Sequence, residues 1–111
     1  MPLCLVVVYL PDAERERDAL PVAERNAMYN ATAKLEAVGP VLGHPHTSAV
    51  QGSPSLRELR PRAGRSPWRA LYRQVGDYLV IAAIAPEARK NPQGFNRACA
   101  AAVERLDKLE V

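Results

Sequence analysis

The sequence predicts one α+β domain over residues 1–111: a small, mostly antiparallel sheet packed by an N-terminal helical hairpin and a C-terminal helix, in the order β-α-α-β-β-β-α. Three observations predict it. Two runs rich in Val, Leu, Ile and Ala, Leu3 to Tyr9 and Tyr78 to Ala85, are short and are each followed by a proline. The stretch from Phe95 to Leu109 repeats its apolar residues at helical spacing. The chain has 111 residues, 48% apolar but only 5% aromatic, with ten prolines, so one core must be built from aliphatic side chains and cut into short elements.

Taken in order, Leu3 to Tyr9 reads as a central strand buried on both faces, because its apolar residues do not alternate with polar ones, and Pro11 stops it. Asp12 can cap a short helix to about Leu20. Pro21 then opens a second helix, which Gly39-Pro40 ends after Val38. Met28, Thr32, Leu35 and Val38, with Ala27 and Ala31 beside them, form the stripe that lays this hairpin on the sheet. Val41 to Pro54 carries prolines, glycines and two histidines and reads as a loop. Leu56 to Arg60 and Trp68 to Gln74 form a β-hairpin around a Pro61 to Pro67 turn. Gly76-Asp77 turns the chain into a third strand, Tyr78 to Ala85. Asn91-Pro92 caps the final helix.

The net charge of +3 conceals two unlike halves. Met1 to Gly52 has four bases against six acids, and Ser53 to Val111 has eleven against six, giving −2 and +5. Arg57, Arg60, Arg62, Arg65, Arg69 and Arg73 fall in one short stretch with a single acid, Glu58, and no lysine. A guanidinium fork matches phosphate oxygens in pairs and stacks on bases, so this stretch reads as a phosphate or nucleic-acid surface. The longest uncharged apolar run, Leu3 to Leu10, is less than half the roughly 20 residues of a membrane helix, and a soluble, cytoplasmic protein is expected. Cys4 and Cys99 lie near opposite ends and read as buried thiols, neither metal ligands nor a disulfide framework.

The order of elements, with "LRELR", the "WRALYR" strand, the apolar strand after "GD" and the Pro-led last helix, resembles the RelE/HigB-like toxins of bacterial type II toxin–antitoxin modules. The resemblance covers nearly the whole chain. It implies a RelE-like fold and an endoribonuclease that cuts ribosome-bound mRNA without metal or other cofactor. It also implies a cognate antitoxin that forms a hetero-oligomer with the toxin. The ParE branch of the same fold implies an alternative, a gyrase-directed toxin, and a third reading is a non-catalytic nucleic-acid-binding member.

Metal-free RNA cleavage needs an acceptor for the 2′-hydroxyl proton, cations for the phosphorane and an acid for the leaving 5′-oxygen. By the resemblance, Arg69 matches the arginine of the family's "YR" strand and would stabilise phosphate charge, with Arg73 on the same strand face. Glu58, in the "ELR" pattern, would accept the proton, kept ionised by Arg60 and Arg69. Trp68 and Tyr72 would face the core. His46, with His44 in the preceding loop, is the candidate acid. Arg57, Arg62, Arg65 and Arg73 would hold RNA, with Arg89 and Lys90 standing in for the family's paired lysines after the last strand. The chain departs from the pattern where family members carry lysines and this one has Leu56 and Glu58.

Overall fold

A computed structural model describes residues 5–109, so the expectation for Cys4, and the start of the first strand, lie outside the described residues. The elements are β1 (Val6–Tyr9), α1 (Pro11–Asp18), α2 (Val22–Val38), β2 (Thr47–Ala49), β3 (Arg57–Leu59), β4 (Trp68–Val75), β5 (Tyr78–Pro86) and α3 (Pro92–Leu109), with short helical turns at Gly39–Val41 and Pro61–Gly64. The five strands lie in the order β1-β5-β4-β3-β2. All neighbours are antiparallel except β1 and β5, which run parallel. No described helix is long and apolar enough to cross a membrane.

Three sequence expectations need correction. The first strand is not central: β1 pairs with β5 alone, at the sheet edge, and Val6 is 48% exposed. Its composition matches that of a buried strand, but a strand's place in the sheet is set by its partners. The open edge is protected by a charge, since the Val7 N–H donates to the Glu36 carboxylate on α2 at 2.9 Å. The loop after Val41 contains a strand, β2, whose Thr47-Ser48-Ala49 carries no large apolar residue and is held by pairing with β3. Val38 is exposed and does not continue the buried stripe of Ala27, Met28, Thr32 and Leu35.

The single core expected from the chain length is split by the sheet. On one face Leu59, Ala70, Tyr72, Leu79 and Ile81 pack with Met28 and Leu35 of α2, and Trp68 is partly buried against them. On the other, Leu71, Val80, Ala82, Ala83 and Ala85 pack with Phe95, Cys99, Ala102 and Leu106 of α3. The alternation of β4 is therefore borne out for Trp68 and Tyr72. Small residues on facing elements let α3 lie close to β5. A register shift beside Leu71 and Tyr72 leaves Ala82 as an extra residue of β5, which places Ala82 and Ala83 together on the α3 face. At the N-terminus of α3 the Asn91 side chain accepts the Gly94 N–H at 2.9 Å, as its sequence position predicts.

α1 takes the place that β1 vacates beside β5. Beyond the last β1 pairing, the Ile84 N–H donates to Glu16 of α1 at 3.1 Å. The same carboxylate meets Arg105 of α3 at 2.9 and 3.1 Å, and Arg105 also donates to the Ala82 carbonyl at 2.7 Å. This staple ties both helices to one strand. The next residue of α1, the buried Arg17, lays its guanidinium over the rings of Tyr9 and Tyr29, 4.5 and 4.7 Å from their centroids.

Candidate functional site

The β3–β4 hairpin positions the site. Glu58 stands opposite Leu71, so its side chain shares the α3 face with Arg69 and Arg73. Arg69 stands opposite Ala85, which brings the residue just past the end of β5, Glu87, within reach of its guanidinium. Glu58, Arg69 and Glu87, together with Arg60, Gly64, Arg89 and Lys90, line an open cleft of about 400 Å³.

Within the cleft the two arginines differ in kind. Arg69 is 4% exposed and committed to protein oxygens: Nη1 donates to the carbonyls of Ser66 (2.6 Å) and Trp68 (2.9 Å), and Nη2 to Gly64 (3.3 Å) and to Glu87 (3.0 Å). Burial, then repulsion from Arg60, lowers its proton affinity, against the pull of Glu58 and Glu87, yet a guanidinium stays charged. Arg60 is half-buried and meets Glu58 at 3.6 Å. Its Nε is buried without a hydrogen-bond partner among the described residues. Gly64, at φ +92°, allows this placement, because a Cβ there would stand 2.8 Å from Arg60 Nη2.

Glu58 lies between them, its side chain 14% exposed, with Arg60 Nη1 at 3.6 Å and Arg69 Nε at 3.9 Å. The expected pull of these cations toward the ionised form is present, but it does not set the direction of the shift. Burial raises its pKa above the ordinary carboxylate range, and this outweighs the opposing pull of Arg69 and Arg60; Glu87 adds to the rise. The buried Cys99 thiol is likewise raised, by burial and then by Glu58. Glu58 is therefore a carboxylate in contact with solvent that holds its proton more tightly than a free one.

The structure brings Glu58, Arg60, Arg69, Arg89 and Lys90 together and separates the other candidates. Lys90 reaches Glu87 at 3.9 Å, and Arg89 is exposed. Arg73 lies four residues along β4, where it donates to Ser55 at 2.8 Å and stands 3.7 Å from Asp107. Arg57 points to the other side and donates to Thr47 Oγ1 at 2.9 Å. Arg62 is fastened to α2, with Nη1 on Glu24 at 2.9 and 3.1 Å and Nη2 on the Ala23 carbonyl at 3.1 Å. Arg65 is exposed on the turn. His46 does not join Glu58; it lines a separate cavity beneath α2. Sequence reasoning missed Glu87. Its only signal was position, one residue past a long strand whose antiparallel neighbour carries Arg69.

A family model for the phage-derived protein Gp49-like (DUF891) matches residues 15–85. No curated protein sequence is significantly similar. Among solved structures the chain resembles Escherichia coli toxin RelE, determined in the free state as a double arginine-to-alanine mutant. The TM-score is 0.66 at 14% identity, over 92% of this chain and 97% of that one. It also resembles a chain of the toxin–antitoxin complex RelBE2 from Mycobacterium tuberculosis, with a TM-score of 0.58 at 18% identity, over 75% of this chain and 98% of that one. At such identities the likeness is one of fold, and it bears out the expected RelE-like architecture. The chain belongs to the Gp49-like family of phage-derived proteins and has the fold of the RelE toxins.

Proposed function

We propose that the protein is the toxin of a type II toxin–antitoxin module and that it cuts ribosome-bound mRNA through the Glu58 cleft. The observation that carries this reading is Glu58 itself: a half-buried carboxylate of raised proton affinity, between two guanidiniums, in a cleft open to solvent. A base whose pKa is raised toward the working pH accepts a proton more readily in the transition state. Glu58 takes the proton of the 2′-hydroxyl, the 2′-oxygen bonds to phosphorus, and the bond from phosphorus to the 5′-oxygen breaks. Arg60 and the exposed Arg89 neutralise the phosphorane oxygens. The Lys90 ammonium at the cleft rim donates the proton that the leaving 5′-oxygen requires. The products are a 2′,3′-cyclic phosphate and a free 5′-hydroxyl. Arg69, saturated by protein oxygens, holds Glu58 and Glu87 in place.

The function is cytoplasmic, where ribosomes work, and a cognate antitoxin holds it silent; the structural likeness to a chain of RelBE2 supports such a partner. Induced expression in bacteria tests the activity, with transcript ends mapped for the wild type, Glu58→Gln and Arg60→Ala. New ends inside codons, lost in both variants, are the expected result. Ends that persist undiminished in Glu58→Gln overturn the assignment of the base, and growth arrest with intact transcripts overturns the ribonuclease reading.

A further inference from the structure

We infer that the cavity between α2 and the Pro61–Gly64 turn seats one unpaired nucleotide of the same RNA strand that enters the Glu58 cleft. The inference rests on the proposed ribonuclease reading and extends it to a second subsite. The cavity measures about 530 Å³, within the size range of small-ligand sites. Part of its lining is apolar: Ala27 and Ala31, one helical turn apart on α2, with Leu42 and Leu59. A planar base packs on such a surface. Asn26 and Asn30, also one turn apart and both exposed, form one wall. Each presents an amide donor and an acceptor on a short side chain, the pattern that reads a base edge.

The rim is cationic. Lys34, Arg60 and Arg65 line it, no carboxylate does among the described residues, and Arg62 has its charge matched by Glu24 behind the wall. The turn that carries Arg62 and Ala63 holds both at φ 55°, a left-handed conformation rare for residues with a Cβ, and this shapes the wall opposite α2. An apolar surface, paired amides and a rim of Lys34 and Arg65, with Arg60 shared with Glu58 at 3.6 Å, fit an aromatic heterocycle bearing a phosphate. Arg60 lines both this cavity and the Glu58 cleft, so one phosphate beside it would join a base held here to the phosphate being cut. His46, which the sequence suggested as a catalytic acid, lines this cavity and would contact the seated nucleotide.

The test is a nuclear magnetic resonance titration of the wild-type protein with a 2′-O-methyl hexanucleotide, which binds but lacks the nucleophile. Parallel arms use a nucleoside 5′-monophosphate and an acidic peptide. The hexanucleotide is expected to shift the Asn26 and Asn30 side-chain amides together with the cleft resonances of Gly64 and Lys90. The double variant Asn26→Ala/Asn30→Ala, altered only at exposed positions, is expected to bind it about tenfold more weakly, the scale of one hydrogen-bonded base. Cleft shifts with unmoved asparagine amides overturn the subsite and leave the ribonuclease reading standing. No shift at either place overturns the subsite, and the transcript-end mapping then decides the ribonuclease reading on its own. Asparagine shifts as large with the mononucleotide as with the hexanucleotide overturn strand continuity in favour of a free-nucleotide site. Shifts with the peptide alone overturn it in favour of a protein-docking site.

Discussion

Two carboxylate–guanidinium clusters sit on this sheet, and they are built differently. In the staple of α1, β5 and α3, Glu16 spends both oxygens on Arg105 and on the Ile84 N–H, at 2.9 to 3.1 Å, and Arg105 also satisfies the Ala82 carbonyl. In the cleft, Glu58 accepts no hydrogen bond among the described residues and has guanidinium nitrogens only at 3.6 and 3.9 Å. The first cluster replaces the hydrogen bonds that a sheet edge would otherwise leave unmade. The second keeps a carboxylate desolvated, near cations but not consumed by them. The contrast teaches that ion pairing alone does not mark a functional site: what matters is whether the lone pairs are already used and whether the group faces open space.

The largest expected effect separates the clusters by activity. Glu58→Gln should lower transcript cleavage about a hundred- to ten-thousand-fold, the usual contribution of a positioned base, while the melting transition moves little. Glu16→Gln should leave cleavage at its wild-type rate. Equal losses in the two variants would erase the distinction.

Next comes Arg69→Leu, which removes the buried cation and leaves Glu87, Glu58 and three carbonyls without it. Urea unfolding should register a loss of about 3–5 kcal/mol, as for a buried pair deprived of one partner. A loss below about 1 kcal/mol would mean that water reaches Glu87 and that Arg69 is not a structural tie. Glu16→Ala should cost less, about 1–2 kcal/mol. The Glu16 side chain is more than a third exposed, so solvent screening keeps the ion pair's share small and most of the loss comes from the stranded Ile84 N–H.

The smallest effects lie in pH. Because burial raises the Glu58 pKa in the fold, the protonated form favours folding. Its contribution is complete below the unfolded value and is lost as pH rises through the folded one. Wild-type stability measured against Glu58→Gln should therefore decline as pH climbs past the ordinary carboxylate range, while cleavage rises as Glu58 ionises. Glu24 behaves oppositely. Its bond from the Ser66 hydroxyl, then its pairing with Arg62, lowers its pKa, so its contribution is present above the ordinary carboxylate value and fades as pH falls through the lowered one. A Glu24→Gln variant that loses no stability relative to wild type at neutral pH would contradict this.

Much of the fold was legible. The α3 stripe, its Asn91-Pro92 start and the β3–β4–β5 meander with its Gly76 turn all appear where local pattern places them. Part of the site was legible too: Glu58, Arg60 and Arg69 converge because two paired strands carry them on neighbouring positions. The unread parts share a cause. β2 has no apolar signal of its own and exists only as a partner of β3, and His46 just ahead of it follows the chain to the other side of Arg60. The role of Glu87 depends on the β4–β5 register rather than on any motif.

By itself, then, the sequence determined which segments other than β2 become helix or strand and that the basic residues gather on one hairpin, because periodicity, caps and turns act over a few neighbouring residues. Only the tertiary structure decided that β1 lies at an edge, that Arg69 turns inward and Arg60 does not, and that burial raises the proton affinity of Glu58. Those outcomes depend on what covers each face, and α2, α3 and the strands that do so come from distant parts of the chain, where desolvation and charge meet only after packing.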